Sequence, residues 1–140
     1  LVEIEVAKPG EVEEFWRATA RESLSSLYDF LVIWHEQRHE IVARDEGRIV
    51  GALRLRIAAS LATVETLTVA PERRRRGLGR GLTGRAEELA NYYNCHKVSV
   101  MVPHESAAQR FFTACGYHVE AVLPQHTFKL DMAIVRKFLL

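Results

Sequence analysis

Residues Val69 to Leu82 read VAPERRRRGLGRGL. The β-branched run Thr63 to Val69 stops at Pro71, four arginines follow at Arg73 to Arg76, and Gly77 and Gly79 open an amphipathic stretch that runs to about Tyr93. A strand, a proline stop, a basic loop and a glycine-rich helix start are therefore consecutive. Glycine lets a backbone come close to a ligand, and successive amide N–H groups at a helix start bind phosphate with help from the helix dipole. Six arginines in the thirteen residues Arg73 to Arg85, with no acid among them, add positive charge. The plain alternative for such a charge run is a solvated basic loop or an RNA-contacting patch.

Outward from this segment, Leu78, Leu82, Ala86, Leu89 and Ala90 form the apolar stripe of the helix, and Lys97 to Val102 reads as a strand. Ser106 to Thr113 is a short helix, and Tyr117 to Leu123 and Thr127 to Phe138 are two strands expected to turn around Pro124. Upstream, Ile41 to Arg44 and Ile49 to Ile57 flank the tight turn Asp45-Glu46-Gly47-Arg48, a hairpin signal. Val2, Ile4 and Val6 alternate with Glu3 and Glu5 as an expected first strand, and two helices are expected from Glu11 to Ser23 and from Ser25 to Gln37. The expected order is β-α-α-β-β-β-α-β-α-β-β. This is an α/β chain with a mixed sheet, because hairpins force antiparallel pairs and a helical crossover permits a parallel one.

The 140 residues, 48% of them hydrophobic, suffice for one core and show no linker, so residues 1–140 are expected to form a single domain. A net charge of +1 argues against a general nucleic-acid coat protein. No apolar run approaches a membrane span. The first residues lack a signal peptide's basic start, and the two cysteines, Cys95 and Cys115, have no metal-ligand spacing, so a cytoplasmic location is expected.

Two motifs compete with the phosphate loop. Gly79-Arg-Gly-Leu-Thr-Gly84 is formally G-x-G-x-x-G, but nine residues separate Val69 from Gly79, whereas a dinucleotide fold puts its first glycine at the strand end. His35-Glu-Gln-Arg-His39 is literally H-E-x-x-H, a zinc-protease pattern. It falls at the end of an expected helix, directly before a strand, where a zincin would bury it mid-helix, so no metal is expected.

Arg74-Arg-Arg-Gly-Leu-Gly79 resembles the (Gln/Arg)-x-x-Gly-x-(Gly/Ala) signature of the GCN5-related N-acetyltransferases (GNAT), with the usual Val-x-Pro ahead of it. Downstream, Glu105-Ser-Ala-Ala-Gln-Arg-Phe-Phe-Thr-Ala-Cys-Gly-Tyr117 is similar to the family's Asn-x-x-Ala-x-x-x-Tyr-x-x-x-Gly-Phe segment. The element order agrees with that fold. The resemblance implies acetyl-CoA, as co-substrate, held between two splayed parallel strands, here Thr63 to Val69 and Lys97 to Val102. It implies that Leu67, Thr68 and Val69 pair with the pantetheine arm, and that Val69 offers its amide to the thioester carbonyl. Arg74, Arg75, Arg76, Gly77, Leu78, Gly79 and Arg80 would cradle the phosphates. Glu105, Ala108 and Phe112 stand at the family's cofactor-contacting positions in the second motif.

The family pattern is not complete. Phe112 stands where many relatives carry the Tyr that protonates the leaving thiolate, Glu105 stands where Asn is common, and Val100 stands where the protein N-terminal branch has an acid. Glu65 matches a position where amine-acetylating relatives carry a base; otherwise it would pair with an arginine such as Arg54 or Arg56. The resemblance thus implies an N-acetyltransferase acting on a primary amine, a small molecule or a peptide, by direct attack. A non-catalytic acyl-CoA- or nucleic-acid-binding module on the same fold and a zinc hydrolase remain as alternatives. An exposed final strand with the tail Phe138-Leu139-Leu140 suggests a homodimer.

Overall fold

A computed structural model describes residues 1–30, 32 and 34–139, the side chains at 21 and 23–25 excepted. The chain divides into two compact units, Leu1–Trp34 and His35–Leu140. In the first, helix α1 spans Glu13–Leu27, with Glu13 and Glu14 favourably placed in its first turn. The expected first strand is not formed: residues 1–8 have no regular structure, and Val2, Ile4 and Val6 are fully exposed. Alternation makes a strand only where a neighbour pairs with it. The expected second helix is also absent. Residues 29–30 form a bend, residues 31 and 33 of the expected stretch lie outside the described residues, and Gln37 already belongs to a strand.

The second unit is a six-stranded sheet with two helices. Its strands are β1 (Gln37–Asp45), β2 (Arg48–Ala58), β3 (Leu61–Val69), β4 (Lys97–Pro103), β5 (His118–Thr127) and β6 (Leu130–Phe138), in the spatial order β1-β2-β3-β4-β6-β5. Helix α2 (Leu78–Tyr92) connects β3 to β4, and α3 (Ala107–Ala114) connects β4 to β5. Every neighbouring pair is antiparallel except β3 with β4, where the α2 crossover brings the chain back in the same direction. No helix among the described residues is long and apolar enough to cross a membrane.

Local chemistry explains the β1–β2 and β5–β6 hairpins. Between β1 and β2, Glu46 (φ 49°) and Gly47 (φ 80°) are both left-handed, as a two-residue turn matching strand twist requires. The β5–β6 turn lies at Phe128 and Lys129, not at Pro124, which instead sits inside β5. An edge strand tolerates a residue without N–H, and the register is irregular between Leu123 and Thr127. The final strand is no sheet edge either: β6 lies between β4 and β5, and the edges are β1 and β5. The sheet-edge argument for a homodimer therefore does not apply to β6.

The core lies on one face of the sheet. Leu53, Leu55 and Ile57 of β2, Ala62 and Val64 of β3, Val98, Val100 and Val102 of β4, and Val135 of β6 are buried together with Leu82, Ala86 and Ala90 of α2 and with Phe112 and Tyr117. Tyr117 is 1% exposed, and its hydroxyl donates to Glu87 Oε2 at 2.9 Å, while Lys137 Nζ donates to Glu87 Oε1 at 3.0 Å. The cluster ties α2 to the turn after α3 and to β6.

Burial, and then the Glu87 carboxylate, push the Tyr117 phenol far above its ordinary range. A group with a raised folded pKa contributes stability that is complete below its unfolded pKa and is lost as pH rises beyond it. Stability should therefore fall above about pH 10. In Tyr117→Phe that alkaline decline should shrink, and at neutral pH the variant should be about 1–2 kcal/mol less stable. Denaturant melts of both proteins at pH 7 and pH 10.5 would show it.

Candidate active site

The parallel pairing of β3 with β4 runs only from Leu61↔Lys97 to Val64↔Val100. Beyond that point β3 stays with β2 and β4 stays with β6, so a wedge opens between them. A cleft of about 820 Å³ fills the wedge and continues to the start of α2.

The backbone accounting along β3 shows what the wedge offers. Ala70 N–H donates to Val50 O at 2.8 Å, and Thr68 faces Ala52 two residues earlier in the same register. Alternation in an antiparallel ladder then turns the N–H and C=O groups of Leu67 and Val69 the other way, into the wedge. The Val69 carbonyl already accepts from Arg74 Nε at 3.0 Å. The backbone of Thr68 faces β2, so of the three residues expected to pair with a pantetheine arm, only Leu67 and Val69 present main-chain groups to the cleft.

Glu65 lies at the vertex. The β2–β3 register passes from Arg54↔Thr66 to Leu55↔Val64, leaving Glu65 as the extra residue of a β-bulge. Bulges re-aim side chains, and Glu65 lines the cleft. Its Oε1 accepts from Arg38 Nε at 3.3 Å, and Arg38 also pairs with Glu36 at 3.2 Å. The expected partners are not used: Arg54 pairs with Glu40 at 3.1 Å. At 29% side-chain exposure for Glu65 and 57% for Arg38, the pair remains open to solvent and contributes little to stability.

The far end of the cleft is the start of α2. Gly77 is its N-cap in the left-handed conformation (φ 79°), with no side-chain cap. The bond Gly81 N–H to Gly77 O, 2.9 Å, opens the helical ladder, so the amides of Leu78, Gly79 and Arg80 have no helical acceptor. Such a group of donors fits a pyrophosphate. Gly79 has a packing reason as well, since a Cβ there would lie 3.2 Å from Phe111 Cζ.

Arg74, Arg75 and Arg80 line the cleft, and so does Arg73, which lies outside the family motif and is ion-paired with Asp45. Arg76 does not line it. On α3, Ala108 and Phe112 line the cleft with Ala107 and Phe111, while Glu105 does not: its side chain is 81% exposed and lies near His104. Phe112 is 3% exposed, its ring edge-on to Phe111 and Tyr117. The Tyr117 hydroxyl is held by Glu87.

The H-E-x-x-H run is not helical. His39 lies on β1, where Nε2 bonds to Gln37 Oε1 at 2.9 Å and the ring stacks on Tyr93, so the two histidines do not share a helix face. Among the described residues, no three His, Cys, Asp or Glu converge as a metal site.

A wedge with one free strand edge, leading to an uncapped helix start, offers main-chain donors along its length and an anion site at its far end. The profile of the acetyltransferase (GNAT) family matches residues 10–117, and the chain belongs to that family, which uses acetyl-CoA. Among solved structures, an acetyltransferase of Bacillus cereus is 22% identical over 99% of this chain and 98% of its own, with a TM-score of 0.79. Ard1 of Thermoplasma volcanium is 22% identical over 68% of this chain and 66% of its own, at 0.63. A Bacillus anthracis protein provisionally described as a streptothricin acetyltransferase, solved with acetyl coenzyme A, is 18% identical over 73% of this chain and 62% of its own, at 0.69. No curated protein matches the chain.

Replacing Gly77 by Glu should remove measurable acetyl-CoA binding in calorimetry, because it places a carboxylate and a strained backbone beside the phosphate donors. Arg80→Ala should weaken binding by about 1–3 kcal/mol. In the unaltered protein, affinity should fall as salt rises.

Proposed function

We propose that this chain transfers the acetyl group of acetyl-CoA directly to a primary amine. The observation that supports this best is the bulged Glu65 at the vertex of a wedge whose other end is a free helix start. The α2 amides hold the pyrophosphate and β3 pairs with the pantetheine arm, which directs the thioester toward Glu65. Leu67 lies two residues from Glu65 and Val69 four, roughly 7 and 13 Å along the strand. The carbonyl-polarising role expected of Val69 therefore passes in this reading to the Leu67 amide, and Val69 holds the arm.

Glu65 takes a proton from the acceptor ammonium, directly or through one water, because only a neutral amine attacks. The amine nitrogen bonds to the carbonyl carbon and gives its second proton to solvent, the C–S bond breaks, and the electron pair leaves with sulfur. Phe112 has no proton to give, so the thiolate takes one from solvent. The non-catalytic alternative draws on the same Phe112, and it predicts acetyl-CoA binding without thiol release across an amine panel.

Glu65→Gln should lower the rate most at the acid end of the pH–rate profile, where the amine is most protonated, and leave acetyl-CoA affinity unchanged. An unaltered profile would leave Glu65 as a mere partner of Arg38. Phe112→Tyr should raise kcat by restoring a proton donor beside the sulfur, as read by thiol release.

A further inference from the structure

The sheet face around Glu65 carries an arrangement that proton removal alone does not use. Arg38 of β1 and Arg56 of β2 are register partners, so their side chains leave the same face side by side. Like charges directly opposite are destabilising. The Glu65–Arg38 pair bridges β2, joining β3 to β1 over this face of the sheet.

Arg38 thus has two carboxylates, Glu36 and Glu65, and Arg54 has Glu40. Arg56 has no ion-pair or hydrogen-bond partner among the described residues, although it is only half-exposed. The face therefore holds a proton acceptor at the vertex and, next to it, a guanidinium lacking an anion.

We propose that Arg56, supported by Arg38, binds a carboxylate of the acceptor, so that the acceptor is an amino acid or a similar small molecule with its carboxylate close to its amine. The inference rests on the acetyl-transfer reading and names the substrate class of that site. A zwitterion matches both halves. Its ammonium group is drawn to Glu65, and its carboxylate completes the shell of Arg56, a planar donor suited to bidentate contact. A simple amine or diamine would meet the unpaired guanidinium as a like charge. The bonds made and broken are those of the transfer above, and Arg56 acts only on binding and orientation.

The test supplies acetyl-CoA and each proteinogenic L-amino acid and, in parallel, its α-amide, with CoA thiol release as the readout. At least one amino acid should show kcat/KM about tenfold or more above its amide, the effect of one charge-assisted contact. Arg56→Met should abolish that preference chiefly through KM, Arg56→Lys should retain part of it, and Arg56→Glu should reverse it toward the amide. Three results would each overturn the inference: amides accepted as well as the acids, a preference that survives in Arg56→Met, or no amino acid used by a protein that binds acetyl-CoA in calorimetry. Failure to bind acetyl-CoA at all would instead overturn the transfer reading beneath it.

Discussion

The short parallel ladder between β3 and β4 is the constraint on which the site depends. It ends at Val64↔Val100, and the bulge at Glu65 comes one residue later. A bulge increases local twist and bends its strand, so β3 follows β2 while β4 keeps an unbroken register with β6 as far as Pro103. Had the ladder continued to Val69, the amides of Leu67 and Val69 would be spent within the sheet and there would be no wedge. The same bend leads the chain through Pro71 and the arginines to the start of α2 at the open end.

The cleft is largely a main-chain device. A strand edge and a helix start are the two places where folded backbone keeps unpaired donors, and buried ones must find partners. Here both kinds line one cavity, separated by residues 70–77, a short turn through Pro71 and the four arginines. Side chains set the spacing more than they supply contacts: Gly77 permits the left-handed cap, and Gly79 lets Phe111 pack against the helix start. Such a site tolerates wide sequence change, consistent with a fold shared at 22% identity over nearly the full length of both chains.

The legible parts of the sequence were those where local chemistry and tertiary pairing agree. The strand–Pro–Arg–Gly–helix segment, the Asp45–Arg48 turn and the short helix starting near Ser106 carry their own signals, and the structure has each of them within a residue or two of its expected place. The reading failed where a partner decides. Val2 to Val6 alternate but have no neighbouring strand, Gln37 joins β1 because β2 is there to pair with it, and Pro124 is absorbed by an edge. Within the site, the Glu65–Arg38 pair was invisible because it spans three strands, and its partner follows from two registers and a bulge rather than from spacing. Arg76 and Glu105 were carried in by motif position, and neither lines the cleft.

Phe112 bears on the chemistry more than a missing hydroxyl suggests. The phenol of Tyr117 packs against its ring at 5.3 Å but is buried and donates its hydrogen bond to Glu87, so it does not face the cleft as a substitute. Among the described residues lining the cleft, Glu65 is the only carboxylate, and there is no His, Lys, Cys or Tyr; the other charged groups are arginines, which keep their protons. In the proposed transfer the departing sulfur relies on the low basicity of a thiolate rather than on an enzyme acid. The demanding step there is making the amine neutral and holding it in line, the two tasks assigned to the charged face around Glu65.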